Sequence, residues 1–296
     1  MYNICEVKSV IKVPFKHIFA VISAVSAGAF FYFEQNSIEI SRFEVYSKNL
    51  PKAASGLKIV QLSDLHNKKF GKENCRLISE INKLSPDIIL LTGDMVSHKI
   101  PDLDGYISFV KKLCKGYPVY YVNGNHECSD MSPEQKQKLD SELKYAGAVC
   151  VDNSTAVLEF RGERINICGL CYDACFYRGV RQFRYGWKTF NIGEMNRLLP
   201  EKSADNFTIL LAHNPLDFDT YAEWGADISF GGHVHGGLIR LPKIGGILSP
   251  ERRLFPKYKE GVYEIDGRFL AVSRGLGEIR LFNRPEIVCV SLFSEK

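Results

Sequence analysis

The chain has 296 residues, of which 45% are hydrophobic and 24% are charged, a composition ordinary for a globular protein with a sizeable core. Its formal net charge of +4 is small for a dedicated nucleic-acid-binding protein, so nucleic acid is not an expected partner. The nine cysteines match no small disulfide scaffold, and their spacing leaves their redox state open.

The first predicted element is an apolar segment, residues 18–33, without a charge over its sixteen residues. As a helix it would reach roughly 24 Å at about 1.5 Å per residue, and the side chain of Lys16 can extend it by snorkelling. Three interpretations compete: an uncleaved signal anchor, a cleaved signal peptide and a buried helix. The aromatic run at residues 30–33 is typical of a membrane interface, and we therefore favour the transmembrane anchor.

The basic residues around this segment lie mainly on its N-terminal side. This asymmetry predicts a cytoplasmic tail at residues 1–17 and a single-pass protein of the cell membrane whose main domain is extracytoplasmic. Residues 34–56 are expected to form a linker and a lead-in strand, and residues 57–296 are expected to form the main domain.

In that domain, short apolar segments alternate with helical stretches and end in polar, glycine-containing loops. The predicted strands are residues 57–62, 88–91, 119–122, 165–168, 207–211 and 227–230. Residues 74–84 have apolar side chains at helical spacing. This alternation is typical of an α/β fold. Three later strands, at 261–265, 269–273 and 287–292, predict antiparallel pairing at the far end of the sheet system.

Five of these strands are followed immediately by side chains that can bind metal ions. These side chains are Asp64 and His66, Asp94, Asn125 and His126, His213, and His233 and His235. Asp, Asn and His together suit Mn²⁺, Fe or Zn²⁺, whereas the absence of thiolates disfavours a structural zinc site. Two ions a few Å apart can clamp the attacking and leaving oxygens of a phosphoryl displacement. The sequence therefore predicts a dinuclear metal centre.

Five short motifs carry a resemblance to a known family. SDLH (63–66), GD (93–94), GNHE (124–127), AH (212–213) and GGHVHGG (231–237) closely resemble the ordered motifs of calcineurin-like metallophosphoesterases. The resemblance runs from about residue 58 to the C-terminus. It implies a four-layer αββα sandwich of the α/β (α+β) class, which the transmembrane helix would precede here.

The resemblance also implies a role for each motif residue and two divalent ions as cofactors, with Mn²⁺ favoured and Fe or Zn²⁺ as alternatives. The implied ligands are Asp64, His66 and His235 for the first metal, Asn125, His213 and His233 for the second, and Asp94 as the bridge. His126 resembles the histidine that contacts the scissile phosphate and stabilises or protonates the leaving oxygen. Asp94 and His126 are thus the implied catalytic residues, and a metal-bound hydroxide, rather than a covalent nucleophile, is the implied attacking group.

Several neighbours of the motifs have less specific interpretations. Glu127 is expected to make a structural hydrogen bond, and Cys128 to be a small buried apolar side chain. Cys168, Cys171 and Cys175 lack a fourth ligand for zinc. The basic and aromatic segment 175–188 is either a solvated loop, a surface that docks on anionic lipid, or a segment that captures an anionic substrate and covers the metals as a small lid. In the last case Arg178, Arg181 and Arg184 would bind the anionic substrate.

The substrate is the least determined part of the prediction. No arginine follows Asp94 closely or directly precedes the GNHE motif, which disfavours the protein-phosphatase branch. Four motifs in the C-terminal part look like those of small bacterial membrane-associated phosphohydrolases, some of which hydrolyse UDP-2,3-diacylglucosamine: GGHVHGGLIRLP (231–242), LFPKYKEG (254–261), SRGLG (273–277) and RLFNRPEI (280–287). Leu238 stands where that group often has glutamine. We expect hydrolysis of a phosphodiester or pyrophosphate bond in a lipid-linked or nucleotide substrate. A broad-specificity phosphomonoesterase and a non-catalytic, membrane-tethered metal-binding scaffold are the alternatives.

Overall fold

The computed structural model describes residues 15–97, 101–177, 189–200, 203, 205–237, 239–241, 245–248, 255–277 and 282–295. Its helices are α1 (Phe15–Asn36), α2 (Cys75–Leu84), α3 (Leu103–Leu113), α4 (Asn125–Asp130), α5 (Pro133–Tyr145), α6 (Ile192–Leu198) and α7 (Phe218–Trp224). Its strands are β1 (Glu39–Ser47), β2 (Leu57–Leu62), β3 (Ile88–Thr92), β4 (Val119–Val122), β5 (Val149–Cys150), β6 (Ser154–Phe160), β7 (Glu163–Leu170), β8 (Phe207–Ala212), β9 (Ile228–Gly231), β10 (Ile239–Leu241), β11 (Gly245–Leu248), β12 (Gly261–Ile265), β13 (Arg268–Val272) and β14 (Glu286–Ser294).

These strands form two six-stranded sheets and a separate hairpin of β10 and β11. The first sheet has the order β1-β14-β2-β3-β4-β5, and β2 to β5 run parallel to one another. The second sheet has the order β12-β13-β9-β8-β7-β6, with a parallel centre and antiparallel edge strands at both sides. Parallel strands are buried on both faces of the sheet, which explains why the predicted sequence segments are mostly apolar.

Apolar side chains hold the two sheets and their helices together in four layers. Leu57 and Ile59 of β2 lie in the core between the sheets, whereas Val60 and Leu62 of the same strand pack with side chains of α2, α3 and α5. Side chains of α6 and α7 pack on the outer face of the second sheet. Successive residues of a strand point to opposite faces, so each sheet contributes to two cores. The predicted αββα sandwich is confirmed.

The helix predicted at residues 74–84 begins one residue later than expected. Leu77, Ile81 and Leu84 are buried, as their helical spacing predicts. Asn74 has φ 59°, a left-handed conformation that a right-handed helix excludes, so α2 begins at Cys75.

The last strand differs from its predicted position. β12 and β13 pair antiparallel across the Asp266-Gly267 turn, as expected. β14 is also antiparallel to a neighbour, but that neighbour is β2 of the first sheet, and its other neighbour is the parallel strand β1. Within residues 34–56, where a linker and a lead-in strand are predicted, the structure has β1, an edge strand of the first sheet.

The apolar segment 18–33 lies within α1. Side chains along this helix are largely exposed, including Phe19 (64%), Val21 (62%) and Val25 (65%). In the part of the chain that the structure describes, no helix meets the length and hydropathy required to cross a bilayer.

Topology brings several strand ends to one edge of the sandwich. β2, β3 and β4 run parallel in the first sheet, and β8 and β9 run parallel in the second. Gln61 joins the sheets below this edge, because its Nε2 donates to Thr92 Oγ1 (2.9 Å) and to the carbonyl of Gly231 (2.8 Å). The loops that follow these five strands therefore meet above Gln61.

Candidate functional site

The seven predicted metal ligands converge in these loops. Ligand atoms of Asp64, His66 and His235 lie within 4.8 Å of one another, and so do those of Asp94, His213 and His233. These groups match the sets expected for the two metals, apart from Asn125. Asp94 also forms a group with His66 and His126, so its carboxylate reaches towards both sets.

Five of the seven residues have a left-handed backbone, which non-glycine residues seldom adopt. They are Asp64 (φ 51°), His66 (φ 47°), Asp94 (φ 52°), His233 (φ 60°) and His235 (φ 54°). Such conformations persist where the surrounding structure enforces them, and they concentrate at functional sites. Here they turn side chains from tight loops into one cavity.

Asp64 lies at the centre of the first group and is fully buried. Both of its carboxylate oxygens accept the backbone N–H of His233 at 3.2 Å. Oδ1 lies 3.9 Å from Nε2 of His66 and 3.7 Å from Nε2 of His235. These distances are too long for hydrogen bonds, but ligands about 2.1 Å from one shared ion stand roughly 3–4 Å apart. The spacing therefore fits a cation between them.

A second position suited to a cation lies between His213 and Asp94. Nδ1 of His213 donates to the carbonyl of Thr92 (2.7 Å), so Nε2 of the neutral ring carries a lone pair. That lone pair faces Oδ2 of Asp94 at 3.1 Å. Two acceptors this close repel each other unless a proton or a metal ion lies between them. Burial lowers the pKa of His213, but the charges of Asp94 and Asp64 outweigh burial and raise the pKa to about 10.

Both aspartates remain ionised despite their burial. Burial raises the pKa of Asp64, but His235 and His213 outweigh it, and the pKa lies below the usual value. Burial also raises the pKa of Asp94, which His213 and His126 bring well below the usual value. Two buried carboxylates require positive charge nearby, which bound cations would supply.

Asn125 completes the predicted ligand set at the start of α4. It is 6% exposed, and its Oδ1 is buried without a hydrogen bond from any residue that the structure describes. A buried amide oxygen without a donor is uncommon in proteins. Because amide oxygens are good ligands for hard divalent ions, this atom also fits a metal site.

His126 is placed beside the second group but nearer to solvent. Its backbone N–H donates to Oδ1 of Asp94 (2.9 Å), and its Nε2 lies 3.7 Å from Oδ2 of Asp94. Its ring centroid is 4.8 Å from that of His66. The side chain is 15% exposed, compared with 2% for Asp94, so His126 can reach a molecule that enters from the surface.

Glu127 makes the structural hydrogen bonds expected of it. Its two carboxylate oxygens accept four backbone N–H groups, at distances of 2.7–3.1 Å. The donors are Asp94, Met95, Val96 and Gly124. The desolvation caused by burial, together with the charge of Asp94, raises the pKa of Glu127. This side chain therefore fixes the loop of Asp94 against the loop of Asn125.

The interpretation of Cys128 as a small buried apolar side chain is wrong. Cys128 of α4 is joined in a disulfide to Cys171, which follows β7. Their separation of 43 residues gives no local signal for the pairing, and a reading based on the spacing of Cys168, Cys171 and Cys175 could not find it. The bond connects the helix of Asn125 and His126 to the segment that ends at Tyr177.

Tyr177, which belongs to the aromatic and basic segment 175–188 singled out in the sequence, is a neighbour of the site. Its ring centroid lies 5.0 Å from that of His233 and 6.3 Å from that of His213, and it is buried. Burial, followed by the charge of Asp94, raises its pKa. The predicted substrate-binding arginines come directly after it in the sequence. Arg178, Arg181 and Arg184 lie outside the described residues.

Comparison with known proteins relates this chain to phosphoesterases. The profile of the family described as "Calcineurin-like phosphoesterase" matches residues 57–237. The metallophosphoesterase YkuE of Bacillus subtilis is 29% identical over 89% of this chain and 88% of its own length. The phosphodiesterase YaeI of Escherichia coli is 26% identical, over 81% and 83%. The UDP-2,3-diacylglucosamine pyrophosphatase LpxG of Chlamydia muridarum is 27% identical, over 86% and 89%.

Proposed function

Since this chain belongs to the calcineurin-like phosphoesterase family and is therefore a metal-dependent phosphoester hydrolase, we propose that its centre cleaves a phosphodiester or pyrophosphate bond. The observation that carries the proposal is the pair of three-residue groups around Asp64 and Asp94, each with its ligand atoms within 4.8 Å. Two such groups side by side match the requirement of a two-ion phosphoryl transfer.

We assign Asp64, His66 and His235 to one ion and Asn125, His213 and His233 to the other. Asp94 would be shared by both ions. Two ions bound there would polarise the phosphoryl oxygens and bring the pKa of water towards neutrality. Oxygen and nitrogen ligands without thiolates support Mn²⁺ as the native ion, with Fe or Zn²⁺ as the alternatives.

His126 and Glu127 have separate roles in this proposal. In the hydrolysis, a water oxygen bonds to phosphorus, the phosphorus–oxygen bond to the leaving group breaks, and the leaving oxygen takes a proton. We assign His126 to supply that proton, and its position at the exposed side of Asp94 supports this role. Glu127 acts through Asp94 and Asn125 by holding their loops.

The substrate in this proposal is lipid-linked or a nucleotide. LpxG is named for a substrate that is both, a diacylated sugar nucleotide, and YaeI is named as a phosphodiesterase. Basic residues that follow Tyr177 in sequence support an anionic substrate, and Arg178, Arg181 and Arg184 are the proposed contacts.

We further propose that residues 18–33 anchor the protein in the cell membrane with the main domain outside the cytoplasm. The exposed apolar side chains of α1 and the lysines that precede it in sequence support this placement. A C-terminal alkaline phosphatase fusion should be active in cells, because that reporter requires export. An inactive fusion would contradict the orientation.

The central experiment compares the full chain with Asp94→Asn on bis(p-nitrophenyl) phosphate in the presence of Mn²⁺. We expect the variant to lose hydrolysis, because the bridging carboxylate loses its charge and one acceptor oxygen. Asp104→Asn is the matched control, since Asp104 is 85% exposed and pairs only with Lys138 in the described part of the chain. Full activity of Asp94→Asn would overturn the ligand assignment. Wild-type protein that binds Mn²⁺ but is inert on a broad phosphoester panel would instead support a scaffold.

A further inference from the structure

Two residues near the C-terminus contact the end of α1. The ring of Phe282 lies 5.9 Å from that of Phe30, centroid to centroid. Arg284 Nε lies 3.4 Å from Oε1 of Glu34, and the guanidinium lies 5.7 Å from the ring centroid of Phe33. The last turns of α1 are therefore held against this segment of the main domain by rings and an ion pair.

The residue between them contacts the metal-binding loop. Asn283 is 2% exposed, and its Nδ2 donates to the carbonyls of His235 (2.6 Å) and Gly237 (3.3 Å). One extended residue spans at most about 3.6 Å, so the contacts with α1 and those with the loop of His235 are immediate neighbours. Phe282, Asn283 and Arg284 thus bridge α1 and the metal centre.

The strand directions give independent evidence that α1 lies at the edge of the sandwich that carries the metal-binding loops. β14 runs antiparallel to β2, so its first residue, Glu286, lies near the carboxyl end of β2, which leads into Asp64. Glu39 begins β1 and pairs with Glu286. Because α1 ends at Asn36, only two residues separate it from β1. The helix therefore enters the domain at the edge that carries the metal ligands.

The chemistry of this edge matches a lipid bilayer. Phe282 is 41% exposed beside the exposed aromatic run of α1. Two arginines flank the same place: Arg284, and Arg76, whose Nη2 donates to the carbonyl of Asn36 (2.8 Å). Aromatic rings at the apolar boundary with guanidinium groups beside them are the combination that suits a membrane interface with anionic head groups.

We propose that this edge rests on the bilayer, so that the metal centre takes phosphoester head groups of lipids directly at the membrane surface. The inference rests on the proposed function and narrows its substrate class from lipid-linked or nucleotide to lipid-linked. A free nucleotide could reach the metal centre without any contact between this edge and the membrane. A lipid, in contrast, would have to leave the membrane if α1 joined the domain at the edge opposite to the metal centre.

The test measures which edge of the full-length protein meets lipid. Phe282→Trp and Tyr46→Trp are reconstituted separately in phosphatidylcholine and phosphatidylglycerol vesicles, with and without brominated acyl chains. Tyr46 is the matched control, because it is an exposed ring near the opposite end of β1, where it stacks on Phe293 (5.3 Å). Brominated lipid quenches only tryptophan that reaches the acyl chains, and the two native tryptophans give the wild-type baseline.

We expect strong quenching at position 282 and none at position 46. Arg76→Trp is a second probe of the same edge in case Phe282→Trp does not fold. Equal quenching at both edges, or no quenching at either probe of the metal edge, would overturn the inference. Hydrolysis of bis(p-nitrophenyl) phosphate is measured on the wild-type protein in the same vesicles. Quenching without hydrolysis would contradict the proposed function alone, and hydrolysis without quenching would contradict the docking alone.

Discussion

Glu127, which is not one of the proposed ligands, carries a prediction about metal affinity. It holds four backbone N–H groups of the loops that carry Asp94 and Asn125. In Glu127→Gln the amide NH₂ would face N–H donors in place of a carboxylate oxygen, and the loops should separate. We expect Mn²⁺ affinity to fall by roughly 10–100-fold, as for other changes behind metal ligands, measured by titration calorimetry. Glu159→Gln, an exposed change on β6, should leave the affinity unchanged, and an unaltered Glu127→Gln would contradict the role.

The proposed role of His126 predicts that the effect of its removal depends on the leaving group of the substrate. If this histidine donates a proton to the leaving oxygen, His126→Ala should slow hydrolysis of an alkyl phosphodiester by about 10²–10⁴-fold, the usual contribution of a general acid. Hydrolysis of bis(p-nitrophenyl) phosphate should fall much less, because p-nitrophenolate leaves without a proton. Metal content, measured by elemental analysis, should stay at the wild-type level. Equal losses on both substrates would exclude the proton-donor role.

At the scale of single residues, the sequence predicts site residues that lie in short motifs. It does not predict contacts between residues that are far apart along the chain. The convergence of Asp64 and His235 could be predicted, because each lies in a short motif at a strand end. The disulfide of Cys128 with Cys171 and the contact of Tyr177 with His233 depend on tertiary approach, which no local spacing records.

At the scale of elements, the site depends on loops packed without room for a side chain. A Cβ added at Gly232 would lie 2.0 Å from Ser63 Oγ and 2.2 Å from Asp64 Oδ2. Gly232→Ala should therefore push the loop after β9 away from the loop after β2. We expect a loss of about 1–3 kcal/mol in the free energy of unfolding, as for other overpacking changes, together with weaker Mn²⁺ binding.

Gly116 offers the matched control for this change. A Cβ there would meet no heavy atom within 4 Å, so Gly116→Ala should leave stability and metal binding nearly unchanged. Urea unfolding and Mn²⁺ titration compare the two variants. If Gly232→Ala bound Mn²⁺ like wild type, the close approach of these two loops would not be a requirement of the site.

The predicted central strands and helix α2 could be found from the sequence, because buried parallel strands and an amphipathic helix have distinct sequence periods, whereas α3 to α7 were not predicted. The pairing of β14 with β1 and β2 was not predicted either. β14 lies more than 220 residues from β2 along the chain, and its apolar pattern would suit either sheet. Local sequence fixes which residues form a strand, whereas the choice of neighbour depends on how the whole sandwich closes.

At the scale of the whole molecule, the buried charges of the centre make stability depend on pH and metal together. Without metal, Asp94 and Asp64 raise the pKa of His213 from 6.5 to about 10. The protonated ring therefore stabilises the fold fully below about pH 6.5, and this stabilisation is lost as the pH rises towards 10. The lowered pKa values of Asp64 and Asp94 act in the opposite sense, because their stabilisation is lost on acidification.

A divalent ion in the centre would replace the proton of His213 as the neighbour of Asp94. The melting temperature in EDTA should therefore fall between pH 7 and pH 9, while that of Mn²⁺-saturated protein should fall less, so that the difference between them grows with pH. In His213→Gln the EDTA samples should lose this alkaline decline, because the group that titrates is absent. Thermal unfolding monitored by circular dichroism measures all three series. If the melting temperature changed with pH in the same way with and without Mn²⁺, the proton and the metal would not compete for the position between His213 and Asp94.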